Sequence, residues 1–352
     1  MVLTLWIVTP PPTSNGSDEP IIVFSFPRIA RITFDFFCDI ADKDSSPIDV
    51  KSMTFLVLGN VTLDEAMAAP IWPTPGQTVV VGPPVRDLGG KGANQAVILK
   101  RAGAEVRFVA AIGQDDTSDW IADRLVAEGF SAADLIRLPL PTYRSLIFIG
   151  AEGENAIASI IGCSMAIPEG RAVAALSGAR RDDILVLQGN MSFAATLAAC
   201  REARRIGLQT VFNPSPMQPG FRTLLPLVDV LVLNESEALD LAGAQDAGDL
   251  AKALHGAGAA NVVVTLGARG SAACGLRGQA VAAARSVAVV DTTGAGDTYA
   301  GVLAAGLFVR GLAMDSAMKA AAAAAALTIG RRGAWAAFPS AAEIEAIFAS
   351  VV

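Results

Sequence analysis

From Met53 onward, apolar residues recur in two alternating registers. Short runs rich in β-branched and aromatic residues end in glycine or polar turn residues, TFLVLG at 54–59 being the cleanest. They predict strands over 54–59, 106–111, 183–188, 209–212, 229–233 and 261–265. Between them, apolar positions at helical spacing predict helices over 92–102, 117–129, 192–206, 235–242, 247–256, 295–309 and 315–329. Strands alternating with helices of this length imply βαβ units, and so an α/β fold whose mostly parallel sheet is covered on both faces. Two stretches, about 61–88 and 140–162, break the rhythm. They alternate polar and apolar residues around the turns TPGQT, GPP and AEGEN, and read as antiparallel strands that leave the main sheet as a flap. The alanine run 320–326 has high helix propensity and suits close packing against the sheet. Residues 1–52 keep no period and read as a poorly ordered extension, or as the product of a start codon placed upstream, with 53–352 as the folded domain. A regulatory or targeting arm is the other reading of that extension.

Composition narrows the class. The 27 Lys+Arg stand against 34 Asp+Glu, a net charge of -7, which argues against binding a phosphate backbone. The chain is 52% hydrophobic and 17% charged, which excludes a disordered protein. No apolar run approaches the roughly 20 residues that span a bilayer, and the opening MVLTLWIVTPPP lacks the basic region of a secretory signal. Cys38, Cys163, Cys200 and Cys274 are far apart and form no CxxC pair, as expected of reduced thiols in a cytoplasmic protein. The lone His255 cannot supply a histidine metal site.

Two glycine-rich segments carry the candidate chemistry, while P-loop and GxGxxG signatures are missing. In Asp291-Thr-Thr-Gly-Ala-Gly-Asp297, residues Gly294, Ala295 and Gly296 open a helix, where free N–H groups and the helix dipole attract anions. Asp297 is out of place beside an anion unless it takes a proton from a hydroxyl that attacks phosphorus. The same heptapeptide also reads as a tight turn with a helix cap. Leu88-Gly-Gly-Lys-Gly-Ala-Asn-Gln-Ala96 is a second glycine turn opening a helix. Its Lys91 and Asn94 are able to donate to sugar hydroxyls, or to stand as an ordinary helix start.

Together and in this order, these segments resemble the PfkB family of carbohydrate kinases, in its ribokinase branch. The resemblance covers about 53–345 and rests on GNVTLDEA (59–66), PTPGQTV (73–79), GGKGANQA (89–96), IGQDD (112–116), EGEN (152–155), NPSP (213–216), NESE (234–237), TLGARG (265–270), DTTGAGDT (291–298) and RRGA (331–334). It implies a three-layer α/β sandwich with a small β-lid over the sugar, and ATP-dependent phosphorylation of D-ribose to ribose 5-phosphate. Another furanose, a ketose such as fructose, or a nucleoside is the alternative acceptor; a non-catalytic sugar-binding regulator is the rival from another class. By resemblance, Asp297 is the base, and Gly294, Ala295 and Gly296 form the anion hole. Thr62, Asp64, Gly90, Lys91, Gly92, Ala93, Asn94 and Glu154 face the sugar. Asn234, Glu237, Thr265, Leu266, Gly267, Ala268, Arg269, Gly270 and Gly296 lie along ATP, and Glu237 helps hold Mg2+ through water. A potassium ion would take Asp291 and backbone oxygens of Thr293, Thr328, Arg331 and Gly333. A homodimer through the lid is implied too. The chain departs from the family pattern at Thr62, where an Asn is usual, at Tyr143-Arg144 beside the expected sugar mouth, and at Ala337, where a Ser is usual.

Overall fold

A computed structural model describes residues 53–69, 71–72, 74–150, 155–243 and 249–351; the expectation for 1–52 and the lid turn 151–154 with Glu154 lie outside them. Strands β1 (Thr54–Gly59), β2 (Thr62–Ala68), β3 (Val85–Gly89), β4 (Glu105–Ile112), β5 (Leu135–Arg137), β6 (Arg144–Ile149) and β7 (Asn155–Ile160) come from the first half. From the second come β8 (Ile184–Gln188), β9 (Gln209–Asn213), β10 (Val230–Asn234), β11 (Asn261–Thr265), β12 (Ser271–Gly275) and β13 (Ala280–Ala282). The helices are α1 (Lys91–Arg101), α2 (Asp116–Ala127), α3 (Gly162–Met165), α4 (Glu169–Ala174), α5 (Phe193–Ile206), α6 (Glu235–Ala242), α7 (Leu250–Gly256), α8 (Ala295–Phe308), α9 (Met314–Ile329) and α10 (Ala341–Ala349).

Nine strands form the main sheet in the order β13-β12-β11-β10-β9-β8-β1-β4-β5, parallel except for β12 and β13. Its strands are apolar on both faces, as a doubly covered sheet requires. In β1, Phe55 and Val57 join the core shared with α1, α8, α9 and α10, while Leu56 and Leu58 join the opposite core with α5, α6 and α7. The chain leaves β1 toward β4 on one side and later returns to β8 on the other. That reversal opens a crevice at the carboxyl ends of β1 and β8, the usual ligand position in such sheets.

The alanine-rich helix α9 corrects the expected packing. It lies chiefly on α8, with the edge strand β13 as its contact with the sheet. Ala317, Ala320, Ala321 and Ala324 are buried, and Gly306 of α8 faces Ala317. Small side chains on both helices allow this close approach. The short β12 and β13, built on SAACG and AVA, and α10 were not anticipated: alanine and glycine carry little strand signal.

The two flap stretches form one four-stranded sheet, β3-β2-β6-β7. β2 and β6 run parallel, while β3 and β7 pair antiparallel on either side of them. Asp115 anchors the approach to this lid. Its Oδ1 accepts from Ser118 N (2.9 Å), capping α2, and from Thr142 Oγ1 (2.6 Å), while Oδ2 accepts from Thr142 N (2.9 Å). Thr142 Oγ1 also accepts from Gly113 N (2.9 Å). Burial alone would raise the Asp115 pKa, but these donors, led by the Thr142 hydroxyl, lower it. Among the described residues no helix is long and apolar enough to cross a membrane, and Cys163, Cys200 and Cys274 are free and buried.

Asp115→Ala should therefore lower unfolding stability by about 1–2 kcal/mol, the scale of a lost helix cap with an added tie. The folded pKa lies below the ordinary 3.8, so this stability is present above that pH and is lost as pH falls through the folded value. Urea unfolding at pH 7 and pH 3 should show the gap between wild type and variant shrinking in acid.

Candidate active site

Polar residues gather where the strands of the main sheet end. Register sets Gln188 of β8 beside Asn213 of β9, and Asn234 of β10 beside Thr265 of β11. Asp297 sits in the first turn of α8, facing α1, and is 3% exposed. A carboxylate buried this deeply requires donors. Asn94 Nδ2 donates to its Oδ2 (2.9 Å) and Gln95 Nε2 to its Oδ1 (3.0 Å), both from α1. Gln95 Nε2 also reaches Asn213 Oδ1 (3.3 Å), and its Oε1 accepts from Gln188 Nε2 (2.9 Å). Asn94 Oδ1 accepts from Trp335 Nε1 (3.0 Å). Asn94, expected to face the sugar, thus also holds the expected base.

The two glycine turns are used differently. α8 opens at Gly294 in the left-handed region (φ 74°) with no side-chain cap, and Gly296 is exposed. Ala295 N makes a long bond to Thr292 O (3.3 Å). This fourteen-residue helix therefore presents its N-terminal donors and the positive end of its dipole directly beside Asp297. At α1, Gly90 precedes the helix (φ 95°), and Gly92 N and Ala93 N are taken by Asn60 Oδ1 (3.2 Å) and Asn60 O (3.0 Å). That helix start is closed by the loop after β1, with Lys91 half-buried at its first position.

The lid supplies Thr62 and Asp64 on one face of β2. Thr62 Oγ1 donates to Asp64 Oδ1 (2.5 Å), and Ser145 lies opposite on β6. Burial raises the Asp64 pKa, the Thr62 and Ser145 hydroxyls oppose that, and nearby Asp87 adds to the rise. Tyr143 lies on this side, near Ser159 and Asp64, and burial raises its phenol pKa. Arg144 does not line the expected sugar mouth. It turns to the other face, where buried Glu65 accepts from Arg144 Nε (2.5 Å) and Arg86 Nε (2.9 Å). Burial would raise the Glu65 pKa, but the two guanidinium groups lower it.

On the expected nucleotide side, Asn234 and Glu237 cap α6 reciprocally. Glu237 N donates to Asn234 Oδ1 (2.9 Å) and Asn234 N to Glu237 Oε2 (3.0 Å). Thr265, Leu266, Gly267, Ala268, Arg269 and Gly270 form the turn after β11, closed by Leu266 N to Gly270 O (2.8 Å), and Arg269 pairs with Glu235. The residues expected to hold potassium are also gathered. Val290 N and Asp291 N donate to Ile329 O, and Asp291 accepts from Thr293 N (2.9 Å) and Gly333 N (3.2 Å). Thr328 O already accepts from Arg331 N (3.1 Å) in a turn, and the Arg331 side chain pairs with Glu343. Among the described residues no group of three His, Cys, Asp or Glu forms a metal cluster.

Sequence reading passed over Asn60, Gln95, Gln188, Asn190, Asn213 and Trp335. A polar residue closing an apolar strand, as Gln188 and Asn213 do, was an available signal; Trp335 had none. Gln188 Oε1 and Asn190 Oδ1 are buried acceptors with no hydrogen-bond partner, both at the end of β8 beside the crevice.

An open helix end beside a buried carboxylate, and a small sheet that carries Thr62, Asp64 and Ser145, have the chemistry that phosphoryl transfer to a hydroxyl uses. The pfkB family carbohydrate kinase model matches residues 58–341, and the chain belongs to that family. It is 29% identical to the ribokinase of Haemophilus influenzae over 293 residues, covering 82% of this chain and 95% of that one. It is 31% identical to the ribokinase of Mus musculus, covering 81% and 91%. The structure of Arabidopsis thaliana ribokinase complexed with ribose and ATP superposes with TM-score 0.76 at 26% identity, covering 84% and 99%.

Gly294 is the most constrained position in the turn that opens α8. Its φ is positive, and a Cβ there would collide with the Phe338 ring. Gly294→Ala should lower the melting temperature, with a cost of about 1–3 kcal/mol from backbone strain. Calorimetry against wild type checks this; an unchanged transition would mean the turn relaxes freely.

Proposed function

We propose that this chain is an ATP-dependent sugar kinase, with D-ribose as the first-choice acceptor and ribose 5-phosphate and ADP as products. The observation that carries the reading is the uncapped N-terminus of α8 set directly over Asp297, whose carboxylate is buried and held by two amides. A binding protein has no use for a desolvated base beside an anion site. The consistent ribokinase relatives support the acceptor. Thr62 in place of the usual amide, and the unpartnered Oδ1 of Asn190, keep a different furanose, fructose or a nucleoside as the second reading.

In this reading the sugar lies between α1 and the lid, held by Thr62, Asp64, Gly90, Lys91, Gly92, Ala93 and Asn94, with Glu154 from the lid turn. Asp297 accepts the proton of the attacking hydroxyl. The hydroxyl oxygen then bonds to the γ-phosphorus as the bond to the bridging oxygen breaks and ADP leaves. The N–H groups of Gly294, Ala295 and Gly296 receive the charge on the transferring phosphoryl oxygens. The nucleotide runs past Asn234 and the 265–270 turn. A magnesium ion, which keeps waters and needs few protein ligands, would neutralise phosphate charge when bound, with Glu237 oriented toward its waters. The carbonyl-rich meeting of 291–293 with 328–333 has the donor chemistry for a potassium ion, held by Asp291, Thr293, Thr328, Arg331 and Gly333. The lid exposes Ile149, Ile157 and Ile160, and we place the contact of a homodimer there.

Asp297→Asn should lower kcat at least about 100-fold with a modest change in sugar KM, the scale of a lost general base. ADP release measured with ribose, 2-deoxyribose, fructose and nucleosides tests the acceptor. A nucleoside with the highest kcat/KM would replace ribose, and no turnover with any acceptor would favour a non-catalytic binder.

The potassium assignment expects kcat/KM to be higher in potassium than in a choline salt at equal ionic strength. Because Ala337 lacks the hydroxyl of the usual Ser, half-saturation should be raised by about tenfold or less, and Ala337→Ser should lower it. Equal rates in the two salts would remove the ion from the mechanism.

A further inference from the structure

Asp297 is held by two amides, and each amide is itself held at its far end. A side-chain amide is nearly symmetric in shape, but its two ends have opposite hydrogen-bonding character. Flipped, Asn94 would turn its carbonyl toward a carboxylate that can only accept. An indole N–H can only donate, so Trp335 Nε1 at 3.0 Å from Asn94 Oδ1 permits one orientation, with Nδ2 on Asp297. Gln188 Nε2 donates to Gln95 Oε1 from the sheet side, but Gln188 is itself an amide with an unpartnered Oε1, so only Asn94 is held by a group that cannot accept.

Trp335 is in turn well fixed. It is 6% exposed, and its carbonyl, with that of Phe338, accepts from Arg101 Nη1 (3.3 Å each) at the far end of α1. The backbone N–H groups of Trp335 and Ala334 favour the carboxylate of Asp87 on lid strand β3, although burial outweighs them and raises its pKa. Phe338 packs against Gly294 in the anion turn. The loop after α9 thus touches the lid, α1 and the start of α8 at once.

We propose that Trp335 is a positioning residue for phosphoryl transfer: its indole N–H locks the Asn94 amide, which keeps the Asp297 carboxylate aimed at the sugar hydroxyl. The proposal rests on the reading of Asp297 as base. It also leaves the second N–H of Asn94, and not its oxygen, to meet an acceptor oxygen of the sugar.

Trp335→Phe keeps a buried aromatic ring and removes the donor together with part of the indole volume, and the Asn94→Ala background separates the two. It should lower kcat about tenfold, the scale of one buried hydrogen bond left unmade, with sugar KM within about threefold. Asn94→Ala should absorb that effect, so that Trp335→Phe costs nothing further in its background. Equal, additive losses in the two backgrounds, or a wild-type kcat in Trp335→Phe, overturn the proposal. A second measurement needs no turnover. The Trp335 indole 15N–1H resonance of the substrate-free protein, assigned by connection to its own backbone resonances, should exchange slowly with solvent and should shift and lose protection in Asn94→Ala. A resonance that ignores Asn94→Ala overturns the proposal, even if Trp335→Phe does not fold. If wild type phosphorylates nothing, the base reading fails, and the indole resonance alone reports whether the lock exists.

Discussion

A buried carboxylate at the start of one helix, answered by two amides from another, is the constraint around which this molecule is arranged. Asp297 is far from Asn94 and Gln95 in sequence, and leaving it unpaired would cost several kcal/mol. The hydrogen bonds from Asn94 and Gln95 therefore fix how α1 and α8 meet over the sheet. Close packing makes this possible. Gly301 of α8 receives the Ile98 side chain of α1, and the missing side chain on α8 lets the two helices approach closely. At the start of α8, Gly296 is open to solvent while Asp297 is shielded from it.

The polar row at the strand ends extends this arrangement into the sheet. Gln188 and Asn213 are paired by parallel register, and Asn213 Nδ2 donates to Val232 O (2.9 Å) on the next strand. An amide network of this kind is stable only when its members are satisfied. Here two acceptors, on Gln188 and Asn190, remain without partners at the crevice. Among the described residues these are the buried side-chain polar atoms left without a partner.

The lid depends on a different kind of tie. Asp115 caps α2 and holds Thr142, so the chain's entry into β6 is set by the main body and not by the lid. Glu65 then binds Arg86 and Arg144 on β3 and β6, locking the strands on either side of β2 to one another. The arginine heads remain partly solvated, so this cluster avoids much of the desolvation cost of a fully buried ion pair. On the opposite face Thr62, Asp64 and Ser145 are left to present polar atoms to a ligand.

Much of this was legible in the chain alone. The βαβ alternation, the two flap stretches and the glycine segments at 89–96 and 291–297 are local signals, because backbone geometry and hydrophobic period are written in neighbouring residues. The anion turn and Asp297 belong to that class. Edge strands of alanine and glycine, and the placement of α9 on α8, were not legible, since small residues carry little period and their value lies in what they let approach. The division is clearest around Asp297. Sequence determined that an aspartate follows a glycine turn at a helix start, because that depends on residues a few positions apart. Only the tertiary structure decided that Asn94, Gln95, Gln188 and Trp335 orient it, because a side-chain amide takes its direction from donors and acceptors brought together across the whole domain.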